Sequence, residues 1–223
     1  MRIAIIGTGW GARVQVPAFR SAGLEIVGLA ASNVEKTRAE AERLGVPAFA
    51  SWRELLDTEA DLVSIVTPPA THREMALAAL AAGKHVLCEK PTALDAAEAA
   101  AMAEAAAARP GQLALIDHEL RFHPAFRAAR AALAEIGPIR HVASSVVGPS
   151  RADASRPWTW WSDRAQGGGI WGAIGSHQLD TLRWLGGEIS AVRASLHTFV
   201  AERPFEGGAR AVTSDDAALA HVR

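Results

Sequence analysis

A short run, Arg2–Ile6, apolar from Ile3 onward, passes directly into Gly7-Thr8-Gly9-Trp10-Gly11-Ala12 and from there into a helical pattern. No other feature restricts the fold as much. The spacing is G-x-G-x-x-A, that of a strand–turn–helix unit that grips a dinucleotide. Gly7 allows the tight turn, Gly9 lets the main chain approach a pyrophosphate, and Ala12 is small enough for helix to pack on strand. N–H groups at the start of the helix, with its dipole, favour a diphosphate there, and Thr8, Trp10 and Gly11 complete the loop. The other reading of such a segment is a glycine-rich turn with no ligand. Its place after the first strand of a repeating series favours the dinucleotide.

The series runs to residue 117. Strand-like runs occupy Arg2–Ile6, Glu25–Ala30 and residues 62–66, 84–88 and 113–116, apolar on both faces as in a parallel sheet buried between helices. Helical segments lie between them: residues 15–22, Val34–Leu44 with Asn33 as N-cap and Gly45 just past the end, 52–56 after Ser51, 71–82 ended by Gly83, and 95–108 ended by Arg109-Pro110-Gly111. This alternation predicts an α/β fold with a doubly wound parallel sheet and right-handed crossovers. After Asp117 the texture changes. A helix is expected at Pro124–Ile136, a strand at 141–147, a long loop rich in Trp, Arg, Gly and Pro at 148–169, a helix at 170–185, and strands near 191–200 and at Ala217–Val222. Residues 1–117 are thus read as a Rossmann domain for NAD(P), and residues 118–223 as a smaller α+β domain with a mostly antiparallel sheet. The alternation of residues 216–223 stops without a turn, cap or polar tail, and a bare sheet edge is a liability, so this second domain is expected to be incomplete.

Charge and composition exclude several classes. With 23 basic and 24 acidic side chains the net charge is −1, which gives no electrostatic case for nucleic acid or an anionic membrane. The single cysteine, Cys88, cannot form an internal disulfide and suits a reducing compartment. The start has no basic region followed by a long apolar core, and the alanine-rich tract at 96–108 holds Glu98 and Glu104. It is also shorter than the roughly 20 residues that span a bilayer, so a cytoplasmic protein is expected. No H-E-x-x-H or cysteine pair suggests a metal, and no G-x-S-x-G elbow suggests a serine hydrolase.

The end of the second strand bears on the cofactor. An NAD site usually places an acid there, which accepts from the ribose 2′-hydroxyl and repels a 2′-phosphate. Here the chain reads Leu29-Ala30-Ala31-Ser32-Asn33, with no acid before Glu35, while Lys36 and Arg38 lie one turn on. NADP(H) is favoured, with NAD(H) possible. Ser32 and Asn33 can also cap the next helix, and the two readings are compatible.

Further motifs carry a resemblance. Thr67-Pro68-Pro69-Ala70-Thr71-His72, the run from Ala82 through Cys88-Glu89-Lys90-Pro91, Arg121-Phe122-His123-Pro124, and Gly167-Gly168-Gly169 leading to Gly175-Ser176-His177-Gln178-Leu179-Asp180 occur in that order. Together they closely resemble the glucose–fructose oxidoreductase / inositol dehydrogenase / rhizopine catabolism (Gfo/Idh/MocA) family, whose members usually continue for another hundred residues or more. The resemblance implies that Lys90 sits beside the nicotinamide and takes part in proton transfer. A lysine does this near neutrality only where desolvation or a neighbouring cation disfavours its charge. It implies that Glu89 orients Lys90 or the cofactor ribose, that Thr67, Pro68 and His72 line the nicotinamide half, that His177, the second catalytic residue, binds or protonates the substrate, and that Arg121 meets the substrate. The Ala31-Ser32-Asn33 turn also looks like that of NADP-using members. One departure stands out: the family's Asp-x-x-x-His reads Ala173 to His177 here, with Asp180 as another candidate partner for the imidazole.

The loop tryptophans Trp158, Trp160 and Trp161, flanked by Arg156, Asp163 and Arg164, suit the C–H faces of a carbohydrate or cyclitol, with Trp160 counted among the substrate residues. Packing in the core or at a subunit interface is the other reading, and it is the one expected for Trp171 and Trp184. The expected activity is hydride transfer between NAD(P) and a hydroxyl or carbonyl group of a sugar, cyclitol or polyol; the resemblance implies that residues 118–223 serve substrate binding and oligomerisation, with homo-oligomers for a complete chain. The alternative is a dinucleotide-binding sensor, or a degenerate family member without turnover.

Overall fold

Residues Ile3 to Ile6 of β1 (Arg2–Ile6) are all buried, as befits a strand central to a helix-covered sheet. Successive side chains point to opposite faces, so Ile3 and Ile5 join one apolar cluster while Ala4 and Ile6 join the other. The computed structural model describes residues 1–137 and 139–223, which form two compact units, Met1–Asp117 and His118–Arg223.

In the first unit the chain continues through α1 (Val16–Ser21), β2 (Glu25–Ala30), α2 (Val34–Leu44), β3 (Ala48–Phe49), β4 (Leu62–Ile65), α3 (His72–Ala81), β5 (His85–Cys88), α4 (Ala96–Ala107) and β6 (Ala114–Ile116). The strands form one parallel sheet in the order β3-β2-β1-β4-β5-β6, the doubly wound arrangement that the alternating sequence predicts. Val63, Ile65, Met75, Leu80, Val86 and Met102 fill one side, and Val16, Ile26, Leu29 and Leu62 the other. Each such side chain contributes roughly 1.5–3 kcal/mol by leaving water. Asn33 and Asp95 cap α2 and α4 through Lys36 N at 2.8 Å and Glu98 N at 2.9 Å. Residues 52–56, expected as a helix, give only a tight single turn at Glu54–Asp57, too short for an α-helical ladder to propagate.

The second unit contains α5 (Pro124–Ile136), α6 (Ser176–Gly186), β7 (Val192–His197), β8 (Glu202–Phe205), β9 (Gly208–Ala211) and β10 (Ala217–Val222). β7 pairs with β10 and β8 with β9, both antiparallel. Two sequence expectations fail here. Residues 141–147 form no strand, because β propensity needs a ladder partner and the described residues offer none; Val142, Val146 and Val147 are exposed. The β8–β9 hairpin was not anticipated. Its two-residue turn places Glu206 at φ 47° and Gly207 at φ 80°, and glutamate is an uncommon choice for the first left-handed position.

Candidate active site

In the first unit the candidate cofactor residues gather at the carboxyl ends of β1, β2, β4 and β5, on the turns that leave them or, for Gly11, Ala12, Lys36 and His72, in the first turn of the helix that follows. Strand order reverses between β1 and β4, which is where an open parallel sheet holds its ligand. Gly7 leaves β1 at φ 130° and donates to Ala30 O at 2.8 Å; a Cβ there would stand 2.2 Å from Val66 O. Ala12 is buried, but the closest helix–strand approach is at Gly11, whose Cβ would reach Ile5 Cγ2 at 2.8 Å. Gly9 behaves differently, since a Cβ there would meet nothing within 4 Å. Packing within the chain does not demand glycine at that position, and the space beside its main chain is open to a diphosphate. Thr8 is half-buried and Trp10 exposed. N–H groups of a first helical turn lack intrahelical partners, which suits an anion.

After β2 the cap reading of Asn33 is realised, and it occupies only the amide oxygen. Ser32, Lys36 and Arg38 are exposed, with no side-chain hydrogen bond or ion pair among the described residues. Glu35 is the first acid after β2.

After β4, Thr71 Oγ1 lies 2.7 Å from Thr67 Oγ1 and 2.9 Å from Pro68 O, which stiffens the Thr67–Pro68 turn. His72 departs from expectation. Its ring turns inward from the start of α3 and is fully buried, with Nδ1 3.0 Å from Pro91 O and Nε2 2.9 Å from Thr67 O. It clips the turn after β4 to the segment after β5, a positioning role in place of a cofactor contact. Burial pulls the imidazole below the ordinary histidine range, outweighing the carbonyls of Thr67, Pro91 and Thr92.

Glu89 and Lys90 are half-buried at the end of β5. Glu89 N donates to Ile65 O at 2.9 Å, Lys90 N donates to Glu89 Oε2 at 3.2 Å, and the Lys90–Pro91 peptide is cis. Beneath them is a buried polar network that the sequence reading missed. Gln15 Oε1 accepts from Ser64 Oγ at 2.6 Å, while Nε2 donates to Asp117 Oδ2 at 3.1 Å and reaches Glu89 Oε1 at 3.5 Å. The available signal was Ser64, a hydroxyl inside the otherwise apolar β4, which must find a partner when buried.

Within the second unit, His177 sits in the first turn of α6 with Nε2 3.7 Å from Glu119 Oε1, and its ring is 6.0 Å from that of His118 in an edge-on arrangement. Asp180, the expected alternative partner of His177, is instead gripped by Arg121 through Nε–Oδ2 at 2.8 Å and Nη2–Oδ1 at 2.6 Å. Burial alone would raise the Asp180 carboxyl, but the Arg121 hydrogen bonds and the charges of His118 and Arg121 hold it below the usual carboxylate range. Arg121, read as a substrate residue, thus has a carboxylate partner of its own. Ala173 is buried and presents only a methyl group toward its turn of helix.

Crowding explains two glycines of the triplet, while Gly167 takes a left-handed φ of 80°. A Cβ on Gly168 would stand 2.5 Å from Trp160 O and Trp161 O, and one on Gly169 would stand 2.4 Å from Asp215 Oδ1. Asp215 in turn accepts from Trp171 N at 2.7 Å. Trp158 packs edge-on against Phe205 at 5.5 Å, and Trp160 and Trp161 lie 5.5 Å apart. No helix among the described residues is long and apolar enough to cross a membrane.

The first unit has the fold and the carboxyl-edge turns of a Rossmann-type dinucleotide-binding protein. A family model described as an oxidoreductase family with an NAD-binding Rossmann fold matches residues 1–116, and a GFO/IDH/MocA C-terminal domain model matches residues 126–223. An uncharacterized oxidoreductase of Synechocystis sp. is 34% identical over 227 residues, covering 98% of this chain and 61% of that protein. The crystal structure of an oxidoreductase domain protein from Kribbella flavida matches with a TM-score of 0.91 at 38% identity, over 99% of this chain and 63% of the other. Levoglucosan dehydrogenase in complex with NADH and L-sorbose matches with a TM-score of 0.88 at 30% identity, over 100% of this chain and 63% of the other. The chain belongs to the Gfo/Idh/MocA oxidoreductase family. It spans about six-tenths of the length of these relatives.

Proposed function

We propose that residues 1–117 bind the cofactor and residues 118–223 the substrate of an oxidoreductase that prefers NADP(H) to NAD(H) and acts on a hydroxyl or carbonyl group of a sugar, cyclitol or related polyol. The observation that carries this reading is the turn after β1, where Gly7 and Gly11 are closed by packing and Gly9 is left open. Bound in that turn, a nicotinamide dinucleotide supplies the hydride chemistry that protein side chains lack. The main chain of Gly7, Thr8, Gly9, Trp10, Gly11 and Ala12 faces the diphosphate. Ser32, Asn33 and Lys36 serve the adenosine ribose, and the absence of an acid before Glu35 supports a 2′-phosphate there. Thr67, Pro68, Glu89 and Lys90 line the nicotinamide half, held in register by His72 from behind.

Lys90 moves a proton at the reacting substrate oxygen, and His177, opposite Glu119, provides a second polar contact to the substrate. Arg121 and Trp160 are further substrate-binding residues of the second unit. The solved relative with L-sorbose supports a sugar. The full-length protein acts as a homo-oligomer in the cytoplasm, where a reducing milieu keeps Cys88 a thiol. Ala173 favours a second reading, a sensor that binds the dinucleotide without turnover. Mixing the protein with NADP+ or NADPH and a panel of sugars and inositols separates the two. Cofactor reduction or oxidation by some panel member is expected, and binding without any turnover gives the sensor. Lys90→Met should abolish turnover while sparing NADPH binding; retained turnover overturns the role of Lys90.

A further inference from the structure

The loop ahead of the glycine triplet and the β8–β9 hairpin bring four arginines together within the second unit. Arg203 and Arg210 stand directly opposite each other in the hairpin register, which puts two cations on one face and is unfavourable by itself. Arg203 is only 4% exposed, and its Nη1 and Nη2 donate to the main-chain carbonyls of Asp153 and Arg151, each at 2.7 Å. Arg151 lies over the Trp161 ring at 3.9 Å and Arg210 over the Trp158 ring at 3.7 Å. Arg156 donates to Ser150 O at 3.2 Å. Among the described residues none of these four guanidinium groups forms an ion pair.

The nearby carboxylates are already engaged. Asp153 accepts from Ser155 N at 2.9 Å and Ser155 Oγ at 2.6 Å. Asp163 accepts from Ala165 N and from Gln166 Nε2, each at 3.0 Å. Burial, together with the charges of Arg156 and Arg203, holds Arg151 below the usual arginine range. The Asp153 and Asp163 charges still act on Arg156, Arg203 and Arg210, but main-chain carbonyls solvate a guanidinium without neutralising it, so four guanidinium groups against these two carboxylates keep an excess of positive charge on a chain whose net charge is −1. An arginine group of this kind, interleaved with indoles, complements a compact anion carried on a ring with apolar faces.

We propose that this patch binds the phosphoryl or carboxylate group of a sugar, so that the substrate is an acidic sugar. The inference rests on the oxidoreductase reading and narrows its substrate. The Trp161 main chain supports it: this carbonyl packs on Gly168, so the loop that carries Arg151 and Arg156 also carries the triplet that leads into α6 and His177.

The test titrates the whole chain calorimetrically with glucose 6-phosphate, glucuronate and glucose at fixed ionic strength, in the native protein and in Arg156→Ala and Arg210→Gln, with NADPH binding measured on the same samples. At least one acidic sugar should bind about tenfold or more tightly than glucose, and that margin should fall about tenfold in the variants while NADPH binding is unchanged. Which acidic sugar binds distinguishes phosphoryl from carboxylate. Equal binding of all three sugars, or acidic-sugar binding undiminished in both variants, overturns the patch and leaves the oxidoreductase reading standing. Failure of NADPH to bind the native protein overturns that reading and, with it, the assignment of the patch to a substrate.

Discussion

Two glycines two residues apart should fail in opposite ways when each gains a methyl group. At Gly7 the backbone is at φ 130° and the new Cβ would stand 2.2 Å from Val66 O and 2.8 Å from Val66 C, so a backbone segment, with no flexible side chain to yield, must move. A non-glycine residue in such a conformation costs about 1–3 kcal/mol, and overpacking adds about 1–3 kcal/mol more. Gly7→Ala should therefore lose about 2–6 kcal/mol, which at about 2–4 °C per kcal/mol for a chain of this size is a drop of roughly 5–20 °C in Tm. At Gly9 the same methyl meets nothing within 4 Å, so Gly9→Ala should keep its stability within about 0.5 kcal/mol. The methyl would instead occupy the space assigned to the diphosphate, and NADPH affinity should fall about tenfold or more, some 1.4 kcal/mol. Thermal unfolding of both variants and fluorescence titration of Gly9→Ala with NADPH check the pair. Native affinity in Gly9→Ala refutes the placement of the diphosphate, and a native Tm in Gly7→Ala refutes the close approach to Val66.

Other outcomes follow from the same geometry. Lys36→Ala removes an exposed cation after β2 and should weaken NADPH binding about tenfold with NADH unchanged; equal losses for the two cofactors would count against a 2′-phosphate site. His72→Leu removes the one N–H that the neutral ring offers to the carbonyls of Thr67 and Pro91, and should cost about 1–3 kcal/mol at pH 8 by denaturant unfolding. Because His72 is depressed in the folded state, its contribution is present above the ordinary histidine value of about 6.5 and is lost as pH falls toward the folded value. The native protein should weaken over that window more than His72→Leu, and parallel pH profiles would show that the ring does not titrate as described. Asp180→Asn breaks the two-point grip on Arg121 and should cost about 1–3 kcal/mol at pH 7. The depressed Asp180 carboxyl stabilises the fold above the ordinary carboxylate value of about 4, and this support is lost as pH falls through the lower folded value. The gap between native and variant melting curves should close there, and a constant gap would refute the pairing.

Local chemistry made most of the first unit legible. A strand buried on both faces, a glycine turn, an Asn33 or Asp95 cap and a Gly45 end each leave their mark within a few residues of where they act. What escaped was closure over distance. Gln15 and Asp117 meet across 102 positions, and nothing near either one announces the other. Spacing suggested Asp180 for His177, but it could not announce Arg121, which lies 59 positions from Asp180 and donates to it from two nitrogens. His72 sits where a ligand-facing side chain would begin α3, and only the fold reveals that its ring points into protein. The strand expected at 141–147 had suitable residues and no neighbour, whereas the β8–β9 hairpin had a neighbour and an unsuitable turn residue.

The amide of Gln15 reads the polarity of its surroundings. Its oxygen end meets a hydroxyl and its nitrogen end meets carboxylates contributed by two other strand ends, so the side chain cannot be turned over without setting lone pairs against lone pairs. A glutamate of the same shape would set a third carboxylate against those of Glu89 and Asp117, with like charges in place of hydrogen bonds. What evolution can write at position 15 is thereby limited by two carboxylates placed far away in the chain.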